Sequence, residues 1–130
     1  MNIETEKDKL RFVVLFHQYD PGDPRKDHWD LMLEHEGKLL TWALSELPEP
    51  GRTIVANSLD DHRIEYLELE GAISHDRGSV SRLMGGNYDW KLETVKHIAI
   101  LTMEDAIWEV EFTPFDGEKV KVSISKIKQP

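Results

Sequence analysis

The chain has 130 residues, enough for one domain with its own core and no covalent staple. It has no cysteine, which excludes disulfides and thiolate metal sites and suits a reducing cytoplasm. Its formal net charge of −9, from 25 acidic and 16 basic residues, argues against broad nucleic-acid binding, although a small basic pocket remains compatible with it.

The opening M-N-I-E-T-E-K-D-K-L is charged and lacks the apolar run of a signal peptide. No apolar stretch approaches the ~20 residues needed to span a membrane. A single cytoplasmic domain over 1–130 is expected, with a flexible N-terminus over 1–9.

In chain order, R-F-V-V-L-F (11–16) is a short apolar, β-branched run of the buried-strand kind. The stretch Y-D-P-G-D-P-R-K-D (19–27) is a loop by its prolines and charge. H-W-D-L-M-L-E (28–34) alternates: Trp29, Leu31 and Leu33 would fill a core, and His28 and Asp30 would share the opposite face, with Met32 breaking the polar series. E-H-E-G then supplies a hairpin turn into K-L-L-T-W-A-L (38–44).

S-E-L-P-E-P-G-R (45–52) is a proline-rich connector, and 53–62 fits either a strand or a short helix. I-E-Y-L-E-L-E-G (64–71) reads as a strand, followed by a glycine-punctuated stretch over 78–86. Strands are expected at 88–94 and 97–102. In 106–113, Trp108, Val110 and Phe112 share one face; in 118–125, Val120, Val122 and Ile124 do, and an Asp-Gly turn joins the two. Glu109 and Glu111 are then expected to pair with Lys119 and Lys121 across the strands. Eight or so short strands with little helix indicate a mainly β fold, an antiparallel sandwich or barrel.

The chemistry sits in the histidines: His17, His28, His35, His62, His75 and His97. His17 ends the first strand, and His28 with Asp30 opens the second. If those strands are antiparallel neighbours, two imidazoles and a carboxylate converge, a set suited to Mn²⁺, Fe²⁺ or Zn²⁺ with positions left open. His62 and Tyr66, four apart, form a second group. Arg63 and Arg77 are candidate anion donors, since guanidinium forks match phosphate oxygens, whereas Arg52 and Arg82 read as solvated charges.

The terminal histidine of the first strand, then H-W-D-L-M-L-E, G-K-L-L-T-W-A-L and D-D-H-R-I-E-Y-L-E-L-E-G, together resemble the 3′-phosphoesterase domain of bacterial DNA ligase D. The small stand-alone versions of that family resemble this chain more closely. The family's motifs read H-[YW]-D-[LF]-R-L-E, G-x-L-x-S-W-A and D-H-x-x-x-Y-x-x-F-E-G, and their order matches over residues 11 to about 90.

The resemblance implies a compact β-barrel, closed or partly open, with one or two short helices. It implies removal of 3′-phosphates or 3′-ribonucleotides from DNA or primer-template 3′ ends, using Mn²⁺, with Zn²⁺ as the alternative ion. By position, His17, His28 and Asp30 would be the metal ligands, and His62 and Tyr66 the catalytic pair at the scissile phosphate. Partners would be DNA ends and a ligase or polymerase of end joining. The chain departs from the family at Met32, where the motif has arginine, in the ten residues between His17 and His28, and at H-D-R-G (75–78), where Arg77 would restore a positive charge. Two alternatives stay open: a catalytically weak member binding a phosphorylated ligand or repair partner, and a phosphoesterase for a small phosphoester.

Overall fold

The computed structural model describes residues 9–73, 77–91 and 97–127. His75, most of the expected N-terminal tail and the end of the expected 88–94 strand lie outside them. Among the described residues nine strands form: β1 (Arg11–Gln18), β2 (His28–His35), β3 (Lys38–Leu44), β4 (Thr53–Arg63), β5 (Gly71–Ala72), β6 (Ser79–Trp90), β7 (His97–Thr102), β8 (Ile107–Asp116) and β9 (Lys119–Lys126). The order β1-β2-β3-β4-β9-β8-β7-β6 closes through a β1–β6 pairing, giving an eight-stranded antiparallel barrel with β5 attached to β6. Closure removes the exposed strand edges that an open sheet would present. Among the described residues no helix is long and apolar enough to cross a membrane.

The alternation in the sequence fills the barrel. Phe12 and Val14 of β1, Leu31 and Leu33 of β2, Leu44 of β3, and Val110, Phe112, Val122 and Ile124 all join one buried cluster, against which Trp29, Trp42 and Trp90 pack. The β2–β3 turn has positive φ at Glu36 (50°) and Gly37 (79°), the two-residue type that follows the strands' own twist.

A second, smaller cluster lies on the outside. Val13, Leu15, Met32 and Leu39 face away from the barrel interior, and a 3-10 helix at Ile64–Leu67 covers them with Leu67, Ile64 and Tyr66. This explains why 12–16 is apolar without a break: residues 12–15 of β1 are buried on both faces. The 3-10 helix also corrects the strand expected over 64–71. Ile64 and Leu67 are three apart, so one helical turn puts both on the same side, over the outer cluster. It is the only helix among the described residues. The ambiguous 53–62 is strand β4.

Two further expectations change. The glycine-punctuated 78–86 belongs from Ser79 onward to the twelve-residue β6, where glycine is required by closeness: a Cβ on Gly86 would collide with the Thr102 carbonyl of β7. Across β8 and β9 the expected Glu–Lys pairs do not face each other. The turn register sets Glu109 and Glu111 opposite Ser125 and Ser123, and Lys121 opposite Thr113. Glu109 instead meets Lys91, 3.3 Å away.

Candidate metal centre

β1 and β2 are antiparallel neighbours in the register that sets His17 directly opposite His28. Asp30, two residues on and pointing to the same outward face, is 3% exposed. The side-chain donors of His17, His28 and Asp30 all lie within 4.8 Å of one another. His17 Nδ1 is 3.4 Å from Asp30 Oδ2, and His28 Nε2 is 3.0 Å from Asp30 Oδ1.

The remaining ring nitrogens decide what these contacts mean. His17 Nε2 stands 2.6 Å from the Arg77 carbonyl, and His28 Nδ1 stands 3.3 Å from the Lys26 carbonyl. A carbonyl can only accept, so each of these nitrogens carries the proton. In the neutral rings, His17 Nδ1 and His28 Nε2 are then lone pairs facing a carboxylate. Asp30 Oδ1 is buried without a hydrogen-bond partner, with His28 Nε2 3.0 Å from it. Three converging lone-pair donors need a cation among them, either a proton or a metal ion.

The titration behaviour agrees. Burial pushes Asp30 upward, but the imidazoles of His17 and His28 outweigh it and hold the carboxyl below its ordinary value. Burial likewise disfavours charged His28, but Asp30 and the Lys26 carbonyl prevail and raise its pKa. Two imidazoles, each fixed by a backbone carbonyl, plus one carboxylate fit a first-row divalent ion with positions left open.

The other predicted residues form a separate group. His62, the penultimate residue of β4, lies opposite Leu39 and donates Nδ1–H to the Asp60 carbonyl at 2.9 Å. Its ring meets the Tyr66 ring edge-on, with centroids 5.3 Å apart. Tyr66 packs on the outer cluster beside Met32. Arg63 is exposed, 3.7 Å from Glu65. Arg77 is exposed and reaches the centre through its backbone. Arg52 and Arg82, expected to be solvated charges, are tied to the protein: Arg52 to the Leu47 carbonyl and Glu49, Arg82 to the Leu67 carbonyl.

One part of the site was not apparent from the sequence. Tyr19 stacks on His17, centroids 4.6 Å apart, and its backbone N–H donates to Asp27. Arg25 lies over the Tyr19 ring, 4.3 Å from its centroid, and forks onto Asp23. The proline-rich loop is therefore an ordered wall of the centre. The available signal was a tyrosine two residues beyond a ligand-type histidine, on the same side of an extended chain.

Fold and site together define a closed antiparallel β-barrel that carries a two-histidine, one-carboxylate centre on its outer face. A family model, the DNA ligase D 3′-phosphoesterase domain, matches residues 21–125. The chain belongs to that family. No curated protein matches it. The match includes His28, Asp30, His62 and Tyr66, whereas His17 precedes it and joins the centre by geometry alone.

Proposed function

We propose that this chain is a divalent-metal-dependent phosphoesterase that removes 3′-phosphates or 3′-ribonucleotides from DNA ends. The observation that carries the reading is the convergence of His17, His28 and the unsatisfied Asp30 oxygen in a member of this family. These three residues would hold the ion, Mn²⁺ by the family resemblance, with Zn²⁺ suited to the same donors. A bound ion supplies Lewis-acid charge beside a phosphoester oxygen and a water of lowered pKa.

His62 presents Nε2 outward because Nδ1–H is committed to the Asp60 carbonyl. Protonated there, it donates to the leaving oxygen, and Tyr66 fixes the ring by its edge contact. Arg77, beside His17, and Arg63, beside His62, are the guanidinium candidates for the substrate phosphate.

Release of orthophosphate from a 3′-phosphorylated primer–template with Mn²⁺, abolished by chelation, tests this directly. A metal-replete protein that releases neither phosphate nor ribonucleotide would favour the second reading, a phosphate-binding member with little chemistry. The observation behind that second reading is Met32, buried where the family motif has arginine.

A further inference from the structure

Beside the metal centre, on the His28 side, a groove of about 270 Å³ is lined by Lys26, Asp27, His28, Ala43, Leu44, Ser45 and Asn57. The sheet register explains it. Asp30 of β2 faces Ala43 of β3, which faces Asn57 of β4, so a methyl group separates the ligand carboxylate from the asparagine. A larger side chain at position 43 would fill the groove. The Ser45 hydroxyl donates to the Val55 carbonyl at 2.8 Å, which leaves its oxygen free to accept.

The charges in the groove are unequal in availability. Asp27 keeps its negative charge, and its Oδ1 accepts the Tyr19 N–H at 2.9 Å. Lys26 makes no ion pair and Asn57 no side-chain hydrogen bond among the described residues. An unpaired ammonium and an unpaired carboxamide flank a cavity that shares a wall with a ligand histidine. They offer an anion one charge-assisted donor and one neutral donor.

The groove is distinct from the place of His62. Asn57 and His62 are on the same strand, five residues and a register shift apart, so roughly 15 Å separates them along β4. Between them runs the outward row of Met32, Thr41 and Leu59. A phosphate at the His62 and Tyr66 group cannot also occupy the groove. A small phosphoester reaches one of these points; a polynucleotide carries phosphates for both.

We propose that the Lys26–Asn57 groove is a second phosphate subsite, which takes a backbone phosphate of the nucleic-acid strand whose 3′ end is processed at the metal centre. This rests on the proposed function and adds a place that holds the strand away from its 3′ end. The formal net charge of −9 makes the local cation matter more, because the rest of the surface does not attract the strand.

The test is binding of a short fluorescein-labelled single DNA strand to the Mn²⁺-loaded protein across a salt series, with Mn²⁺ affinity measured in parallel. Lys26→Ala is expected to weaken binding several-fold and to reduce the steepness of log K against log salt by about 0.7, one single-strand phosphate contact. Lys26→Arg should restore both. Ala43→Leu, which fills the groove, should weaken strand binding while Mn²⁺ affinity stays as in wild type. Strand affinity and salt slope unchanged in Lys26→Ala would overturn the subsite alone. A wild-type protein that binds no Mn²⁺ would overturn the metal reading as well, so the two failures are distinguishable.

Discussion

His17 Nε2 and the backbone carbonyl of Arg77 stand 2.6 Å apart, and this one contact fixes which nitrogen of His17 faces Asp30. Because the partner is main chain, the Arg77 side chain can be removed without freeing the imidazole. Arg77→Ala is therefore expected to retain wild-type Mn²⁺ affinity. Asp30→Ala should lose at least roughly 100-fold, more than a supporting hydrogen bond is worth. Calorimetric titration checks both, and equal affinity in wild type and Asp30→Ala would remove Asp30 from the ligand set.

Tyr19 covers the His17 ring and is itself covered by Arg25. Stacked rings contribute about 0.5–1.5 kcal/mol beyond their buried area. Tyr19→Ala should thus weaken Mn²⁺ binding by about threefold to tenfold, with Tyr19→Phe close to wild type. The visible spectrum of the Co²⁺-substituted protein should broaden in Tyr19→Ala, a change that a general loss of stability would not produce.

Among the described residues the ring of His62 meets that of Tyr66 and not those of His17 and His28. His62→Ala is expected to keep Mn²⁺ affinity and to lower the rate by about 10²–10⁴-fold, the usual worth of a positioned proton donor. Loss of metal binding in this variant would show that His62 belongs to the centre.

Met32 is 1% exposed, packed with Val13, Leu15, Leu39, Leu67 and Val80 under the 3-10 helix. Restoring the family's arginine by Met32→Arg would press a guanidinium into that cluster. Roughly 3 kcal/mol or more of destabilisation is expected, read as a lower urea midpoint. A variant as stable as wild type, with higher activity, would show that the outer cluster opens to let an arginine reach the substrate.

Glu34 accepts both arms of the Arg11 guanidinium, at 3.0 and 3.1 Å, and the Arg11 backbone N–H at 3.0 Å. The Arg11 hydrogen bonds hold its carboxyl below the ordinary glutamate value. A depressed folded-state pKa stabilises the fold above the unfolded value, about 4.3, and that contribution disappears as pH falls through the folded one. Wild type should melt above Glu34→Gln at neutral pH, and the two melting temperatures should converge as pH drops below about 4. A gap that does not narrow as the pH falls would mean that Glu34 acts through packing instead of charge.

Much of the fold and half of the site could be read from the sequence, because both depend on side-chain period. Two-residue alternation in 28–34, 106–113 and 118–125 assigns the inward faces, since successive side chains on a strand point to opposite sides. The same rule puts His28 and Asp30 on one face. The Asp-Gly and Glu-Gly pairs mark turns because positive φ is costly for most other residues.

Only the tertiary structure decided what the outward faces meet. Period alone does not distinguish an outward residue in water from one under a covering segment, so Met32 looked like a break in a polar series and is in fact core. Nor does it fix register: the Asp116–Lys119 turn, not the charges, chose the partners of Glu109 and Glu111. The cluster of His17, His28 and Asp30 needed the β1–β2 register to bring His17 across from His28, and the Arg77 and Lys26 carbonyls to turn the ring nitrogens inward. Those are contacts between distant parts of the chain, and distance in sequence does not encode them.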